Sequence, residues 1–195
     1  MLNVGIYIYP GAEVLDFSGP FEVFCTASRL ASGCRPFNVF LVAETRDPVI
    51  ARGGYCVVPT YGFGEHPRID LLIVVGGVHT PELDKPGVIR WIETQAALAR
   101  VVASVCTGAF LLAEAGVLTT QTVTTHWEDI AELRTRYPAL CVVEQRRWVE
   151  EGRIISSGGI SAGIDMSLQL VSRLSDRELA ERTARQMEFD WVSST

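Results

Sequence analysis

The chain has 195 residues, 48% of them hydrophobic and 21% charged, with a formal net charge of −6 at pH 7. That length suits a single domain over residues 1–195, and so large an apolar fraction excludes intrinsic disorder. No run approaches the roughly 20 apolar residues of a membrane span, and an acidic chain with one lysine, Lys85, lacks the clustered basic side chains that hold nucleic acid.

Leu2–Tyr9 is nearly continuous apolar sequence and reads as a strand, followed by a loop from Pro10 to Phe17 and a helix from about Ser18 to Leu30. Phe37–Ala43 reads as a second strand, and Val49–Thr60 as a hairpin turning at Gly53-Gly54. Asp70–Val75 is a third strand that closes on Gly76-Gly77. Val88, Trp91, Ile92 and Leu98 share a face of a helix over Pro86–Ala99. Val101–Val105 is a fourth strand, and a helix starts directly after it and ends near Gly116, which has the place of a C-capping glycine. A helix over His126–Tyr137 stops at Pro138. Cys141–Val149 and Arg153–Ser156 form a second hairpin, and helices over Ile160–Leu174 and Asp176–Phe189 finish the chain.

Apolar strands separated by amphipathic helices predict an α/β fold: a mostly parallel sheet sandwiched by helices, with added β-hairpins. Such sheets bind ligands beyond the carboxyl ends of their strands, where the strand order reverses. Three candidates fall there: Asp16, Gly76-Gly77 and Cys106.

The stretch from Val101 to Leu112 passes from strand to helix with almost no loop, which is the layout of a nucleophile elbow. Cys106 sits on that turn, where the helix dipole and free N–H groups favour thiolate. Gly108 permits close backbone approach. Asp16 either caps the helix beginning near Ser18 or delivers a carboxyl group to the cysteine, and burial and a neighbouring thiolate would each raise its pKa. Glu13 competes for that role. Gly76 and Gly77 offer N–H groups for an oxyanion, or simply make a tight turn. His126 either orients the thiol or begins a helix. His66 and His79 lie in polar loops without an assigned role, and Arg146-Arg147 reads as a solvated strand edge. Gly62-Phe63-Gly64 lacks the flanking strand and helix of a phosphate loop.

The five cysteines (Cys25, Cys34, Cys56, Cys106 and Cys141) are odd in number and irregular in spacing, with no CxxC pair. They make neither a disulfide framework nor a zinc motif, and they fit a reducing cytoplasm. The N-terminus shows no basic region or cleavage site of a leader.

The segment Val105-Cys106-Thr107-Gly108-Ala109-Phe110, together with Thr124-Thr125-His126-Trp127, resembles the ThiJ/PfpI superfamily. So do Tyr9-Pro10-Gly11-Ala12, Leu15-Asp16-Phe17-Ser18-Gly19-Pro20, the Gly76-Gly77 turn and Ser161-Ala162-Gly163-Ile164-Asp165-Met166. The resemblance implies a flavodoxin-like, class I glutamine amidotransferase-like fold. Two branches carry this form of the motif, isonitrile hydratase and the sensor domain of AraC-type transcription regulators. Thr107 stands where the protease-like branch has a histidine, and Asp16 where the glyoxalase and protein-repair branch has a glutamate.

The hydratase branch implies Cys106 as nucleophile with Asp16 and Thr107 as its partners, a small-molecule substrate, no metal or organic cofactor, and a homodimer. An apolar isonitrile would ask for a small, largely apolar pocket, with Trp127 or Phe17 in its wall. The sensor branch implies the same cysteine used for ligand or redox sensing. Its members carry a helix-turn-helix region beyond the point where this chain stops, at Thr195.

Overall fold

A computed structural model describes residues 1–192. Its strands are β1 (Leu2–Tyr7), β2 (Phe37–Ala43), β3 (Val49–Ile50), β4 (Cys56–Val57), β5 (Tyr61–Gly62), β6 (Leu71–Val74), β7 (Val101–Val105), β8 (Thr122–Val123), β9 (Cys141–Val142), β10 (Trp148–Glu151) and β11 (Ile154–Ser157). Its helices are α1 (Val14–Leu30), α2 (Thr80–Leu83), α3 (Pro86–Leu98), α4 (Gly108–Glu114), α5 (Ile130–Arg136), α6 (Ala162–Leu174) and α7 (Arg177–Gln186).

Seven strands form one sheet in the order β10-β11-β7-β6-β1-β2-β5. All neighbours pair in parallel except the β10–β11 edge hairpin. The fold is the expected helix-covered, mostly parallel α/β sheet. Every residue of β6 and β7 is buried, as strands covered on both faces require. Helices α1, α6 and α7 pack together as one layer, and α2, α3 and α4 as another. Among the described residues no helix is long and apolar enough to cross a membrane.

The chain runs from β1 to β2 on one side and then returns to place β6 on β1's other flank. The strand order therefore reverses between β1 and β6, and a crevice opens beyond their carboxyl ends. The segments that follow β1, β6 and β7 all meet there.

Several local expectations change. Helix α1 starts at Val14, not near Ser18, which puts Asp16 in its first turn and Pro20 inside it. The early start follows from pinning: Glu13 N–H donates to the Gly76 carbonyl at 2.9 Å, and Ala12 bridges Gly77. The long hairpin arm over 141–149 is broken. Cys141–Val142 pairs in parallel with β8, and only Trp148–Glu151 joins β11. The break lies at 143–147, where Gln145 has a φ of 59°. Tyr61–Gly62 adds an edge strand where none was expected. Helix α6 begins at Ala162 because Ile160, with a φ of 57°, cannot be helical.

Helix α4 ends as expected. Gly116 has a φ of 67°, its N–H donates to the Ala113 carbonyl, and Val117 N–H reaches back to Leu112. That paired closure satisfies carbonyls the helix end leaves open.

Candidate active site

Cys106 occupies the turn between β7 and α4 with a φ of 55°, a left-handed conformation uncommon for a side-chain-bearing residue. Its N–H is shared between the carbonyls of Ser157 and Gly158, at 3.2 and 3.3 Å. These bonds tie the elbow to the end of β11 and hold it in that conformation. Gly108 is where the elbow touches β6: a β-carbon there would lie 2.1 Å from the Val74 carbonyl oxygen. Only glycine lets the helix start this close to the strand.

Asp16 is fully buried and faces the thiol. Its two oxygens accept the N–H groups of Gly76 at 3.1 Å and Ile160 at 2.9 Å. Burial pushes its carboxyl up to about 7, against the opposing pull of those two donors. The Cys106 thiol is also pushed up, first by burial and then by the neighbouring carboxylate, while the Thr107 N–H acts in the opposite sense. The expected thiolate stabilisation by the helix terminus is therefore outweighed. Desolvation of the buried cysteine, 7% exposed as a residue, dominates.

Thr107 turns its hydroxyl to the glycine turn, accepting from Gly77 N–H at 3.0 Å and lying 3.2 Å from the Gly77 carbonyl. The N–H groups of Gly76 and Gly77 are thus engaged by Asp16 and Thr107, rather than left free for an oxyanion. The glycine turn is a clamp for two side chains of the site. A β-carbon on Gly76 would meet the Thr107 nitrogen at 2.5 Å, so the turn also needs its lack of a side chain.

His126 lines the same cleft as Cys106. A β-carbon built on Gly159 would lie 2.4 Å from His126 Nδ1 and 3.1 Å from Cys106 Sγ, so ring and sulfur flank the same glycine. The other ring nitrogen lies 3.4 Å from Glu128.

The cleft over Cys106 has a volume of about 360 Å3. It is polar, contrary to the apolar pocket expected: Glu13, Glu128, Asp129 and Glu132 line it with Arg52, His79 and His126. Glu13 is a rim residue paired with Arg52 at 3.3 Å, which leaves Asp16 as the carboxyl beside the sulfur. Phe17 is buried away from the cleft and Trp127 stands exposed outside it.

His79, given no role by the sequence, is buried against Phe110 with 4.6 Å between ring centroids, and burial lowers its pKa. His66 accepts from Trp91 Nε1 at 3.2 Å, a packing role. Arg147 is no free edge residue, since it pairs with buried Asp165. Among the described residues, no group of three or more His, Cys, Asp and Glu side chains is placed to hold a metal ion.

The sequence reading missed Gly159 and Ile160, whose contributions to the site are a gap and a backbone N–H. Neither contribution leaves a residue-type signal in the sequence. Tyr9 was missed as well. Buried beside the pair, its hydroxyl is raised by burial and by Asp16 and Cys106.

An isonitrile hydratase of Pseudomonas putida is 33% identical to this chain over 189 residues, covering 96% of the chain and 78% of the relative. The HTH-type transcriptional regulator GbdR of Pseudomonas aeruginosa is also 33% identical, over 97% of this chain but 51% of the regulator, so the chain spans about half of that protein. The crystal structure of a ThiJ/PfpI family protein from Pseudomonas syringae superposes with a TM-score of 0.87 at 28% identity, over 97% of this chain and 75% of that one. The model of the DJ-1/PfpI family matches residues 3–173, and the chain belongs to that family.

Proposed function

We propose that the chain is a cysteine-dependent hydratase that converts an isonitrile to an N-substituted formamide. The observation that carries this reading is the buried Asp16–Cys106 pair, in which a carboxyl titrating near 7 faces a thiol held above its ordinary range. Above about pH 7 the pair holds one proton between sulfur and oxygen.

A terminal isonitrile carbon can take both a nucleophile and a proton. As the S–C bond forms, the thiol proton passes through Asp16 to the same carbon, giving the thioimidate R–N=CH–S. Water then adds to that carbon. The C–S bond breaks, its electron pair and one proton return to sulfur, and R–NH–CHO leaves. One water is consumed and nothing is oxidised or reduced. Thr107 holds its N–H on the sulfur by anchoring its side chain on Gly77. The resemblance to the Pseudomonas putida hydratase across nearly the whole chain supports this assignment. Three exposed, unpaired cysteines fit a cytoplasmic setting.

A second reading, a ligand-sensing domain, is favoured by the charged lining of the cleft and by the match to one half of the regulator. One assay separates the two: formamide release from methyl isonitrile by the wild type and by Cys106→Ala. The hydratase reading expects turnover that falls by about a thousandfold or more in the variant. Saturable binding of a small ligand without turnover would favour sensing.

A further inference from the structure

A second, larger hollow shares a wall with the cleft over Cys106. This cavity of about 560 Å3 is bounded by His126 with Thr125, Trp127, Ile130, Arg146, Gly159 and Ala162. His126 lines both hollows. Gly159 belongs to the wall of the larger one, and its missing β-carbon would sit 3.1 Å from Cys106 Sγ. The two spaces therefore share His126, and the larger one has Gly159, a neighbour of the sulfur, in its wall.

Their chemistry differs. The smaller hollow is lined mainly by polar groups, with Glu13, Arg52, Glu128, Asp129 and Glu132 charged. The larger one offers the Trp127 indole, 75% exposed, with Ile130 and Ala162 beside it. Its charges are unequally satisfied. Glu144 lies 3.8 Å from Arg134, and Arg147 is held by Asp165 and Ser161. The Arg146 guanidinium has no ion pair among the described residues. A built turn presents it: Gln145 before it is left-handed, and the Arg147 carbonyl after it accepts the Gly158 N–H at 2.9 Å.

We propose that this larger cavity binds the substituent on the substrate nitrogen, and that it fits an aromatic ring bearing a carboxylate. The ring lies on Trp127, and the carboxylate meets Arg146, whose planar fork matches it. The word substrate rests on the hydratase reading of Cys106, whereas the binding chemistry rests on the cavity alone. The small polar cleft then holds only the reacting carbon and nitrogen.

Calorimetric titration of the whole chain with 4-formamidobenzoate, formanilide and N-methylformamide tests this without any turnover. The expected order of affinity is the order just given, with about fivefold between the two aryl compounds, the scale of a partly exposed ion pair. Arg146→Gln removes that fivefold and leaves formanilide unchanged, while Trp127→Ala weakens both aryl compounds. Both side chains are exposed, and an unchanged melting temperature verifies that the variants fold. Equal affinities for the two aryl compounds, an undiminished preference in Arg146→Gln, or no binding by any of the three overturns the proposal. The expected ranking with no hydration of any isonitrile would sustain the cavity and remove the hydratase reading. Hydration of alkyl isonitriles without the ranking would do the reverse.

Discussion

The Ile160 N–H donates to Asp16 Oδ1 at 2.9 Å across 144 residues of sequence. Ile160 adopts a left-handed backbone to make this bond, at a cost of about 1–2 kcal/mol for a β-branched residue. Gly76 holds the second oxygen from the end of a different strand. The carboxyl is thus fixed against the thiol by two backbone donors that α1 itself does not supply. Burial still exceeds their pull, and the group titrates near neutrality.

This position makes Asp16 a pH-dependent liability for the fold. Its folded value, about 7, stands above the ordinary carboxyl value of 3.8, so ionising it is harder in the folded state. Stability is therefore unaffected at low pH and falls as pH rises from about 4 to 7, on the order of 1 kcal/mol per unit. Asp16→Asn removes this dependence. The difference in melting temperature between variant and wild type should grow in the variant's favour between pH 4.5 and 7.5, as thermal unfolding at a series of pH values will read. A difference constant with pH would contradict the assignment.

The same titration predicts the activity profile. Below about 7 both sulfur and carboxyl are protonated, and the thiol has no acceptor for its proton. Above it the pair holds one proton, the state that the proposed hydration requires. The rate constant kcat/KM for hydration should rise through an apparent pKa near 7 belonging to the pair. Steady-state rates from pH 5 to 9 measure this, and a profile that falls through neutrality would contradict it.

Thr107 acts through its clamp on Gly77. Thr107→Val keeps the shape and deletes the hydroxyl, leaving the Gly77 N–H without its acceptor, at about 1–2 kcal/mol. Thr107→Ser retains the bond. Valine should lower both stability and turnover and serine should recover both, by unfolding and rate measurements side by side.

Two glycines on helices should respond in opposite directions. A β-carbon on Gly108 would meet the Val74 carbonyl at 2.1 Å, and neither backbone can yield. Gly108→Ala should cost about 3 kcal/mol or more. Gly87 in α3 has nothing within 4 Å, and Gly87→Ala should stabilise by about 0.5–1 kcal/mol. Chemical denaturation of both variants tests the pair.

What was legible in the sequence was what local pattern encodes. Strands β1, β2, β6 and β7 are apolar runs, and the abrupt passage from Val105 to Gly108 marks an elbow by itself. Asp16 is legible as a candidate, but the sequence places it in a loop, whereas the structure puts it in the first turn of α1. Pro20, a residue that ordinarily opens helices, sits six residues inside α1. The two-residue strands β5, β8 and β9 carry too little pattern to read. The parts of the site made by Gly159 and Ile160 come from tertiary contact alone. The polar cleft was misjudged for a related reason: Glu128, Asp129 and Glu132 sit on a turn and a helix start that look like solvated surface until the fold brings them over Cys106.

Central to the account is the covalent addition of Cys106 to an isonitrile carbon. Protein mixed with excess isonitrile, quenched in acid within milliseconds and weighed intact, tests it most directly. The account predicts a mass gain of one isonitrile per chain, mapped to the peptide carrying Cys106 and absent in Cys106→Ala. Formamide released by Cys106→Ala at the wild-type rate, with no adduct in either protein, would contradict it.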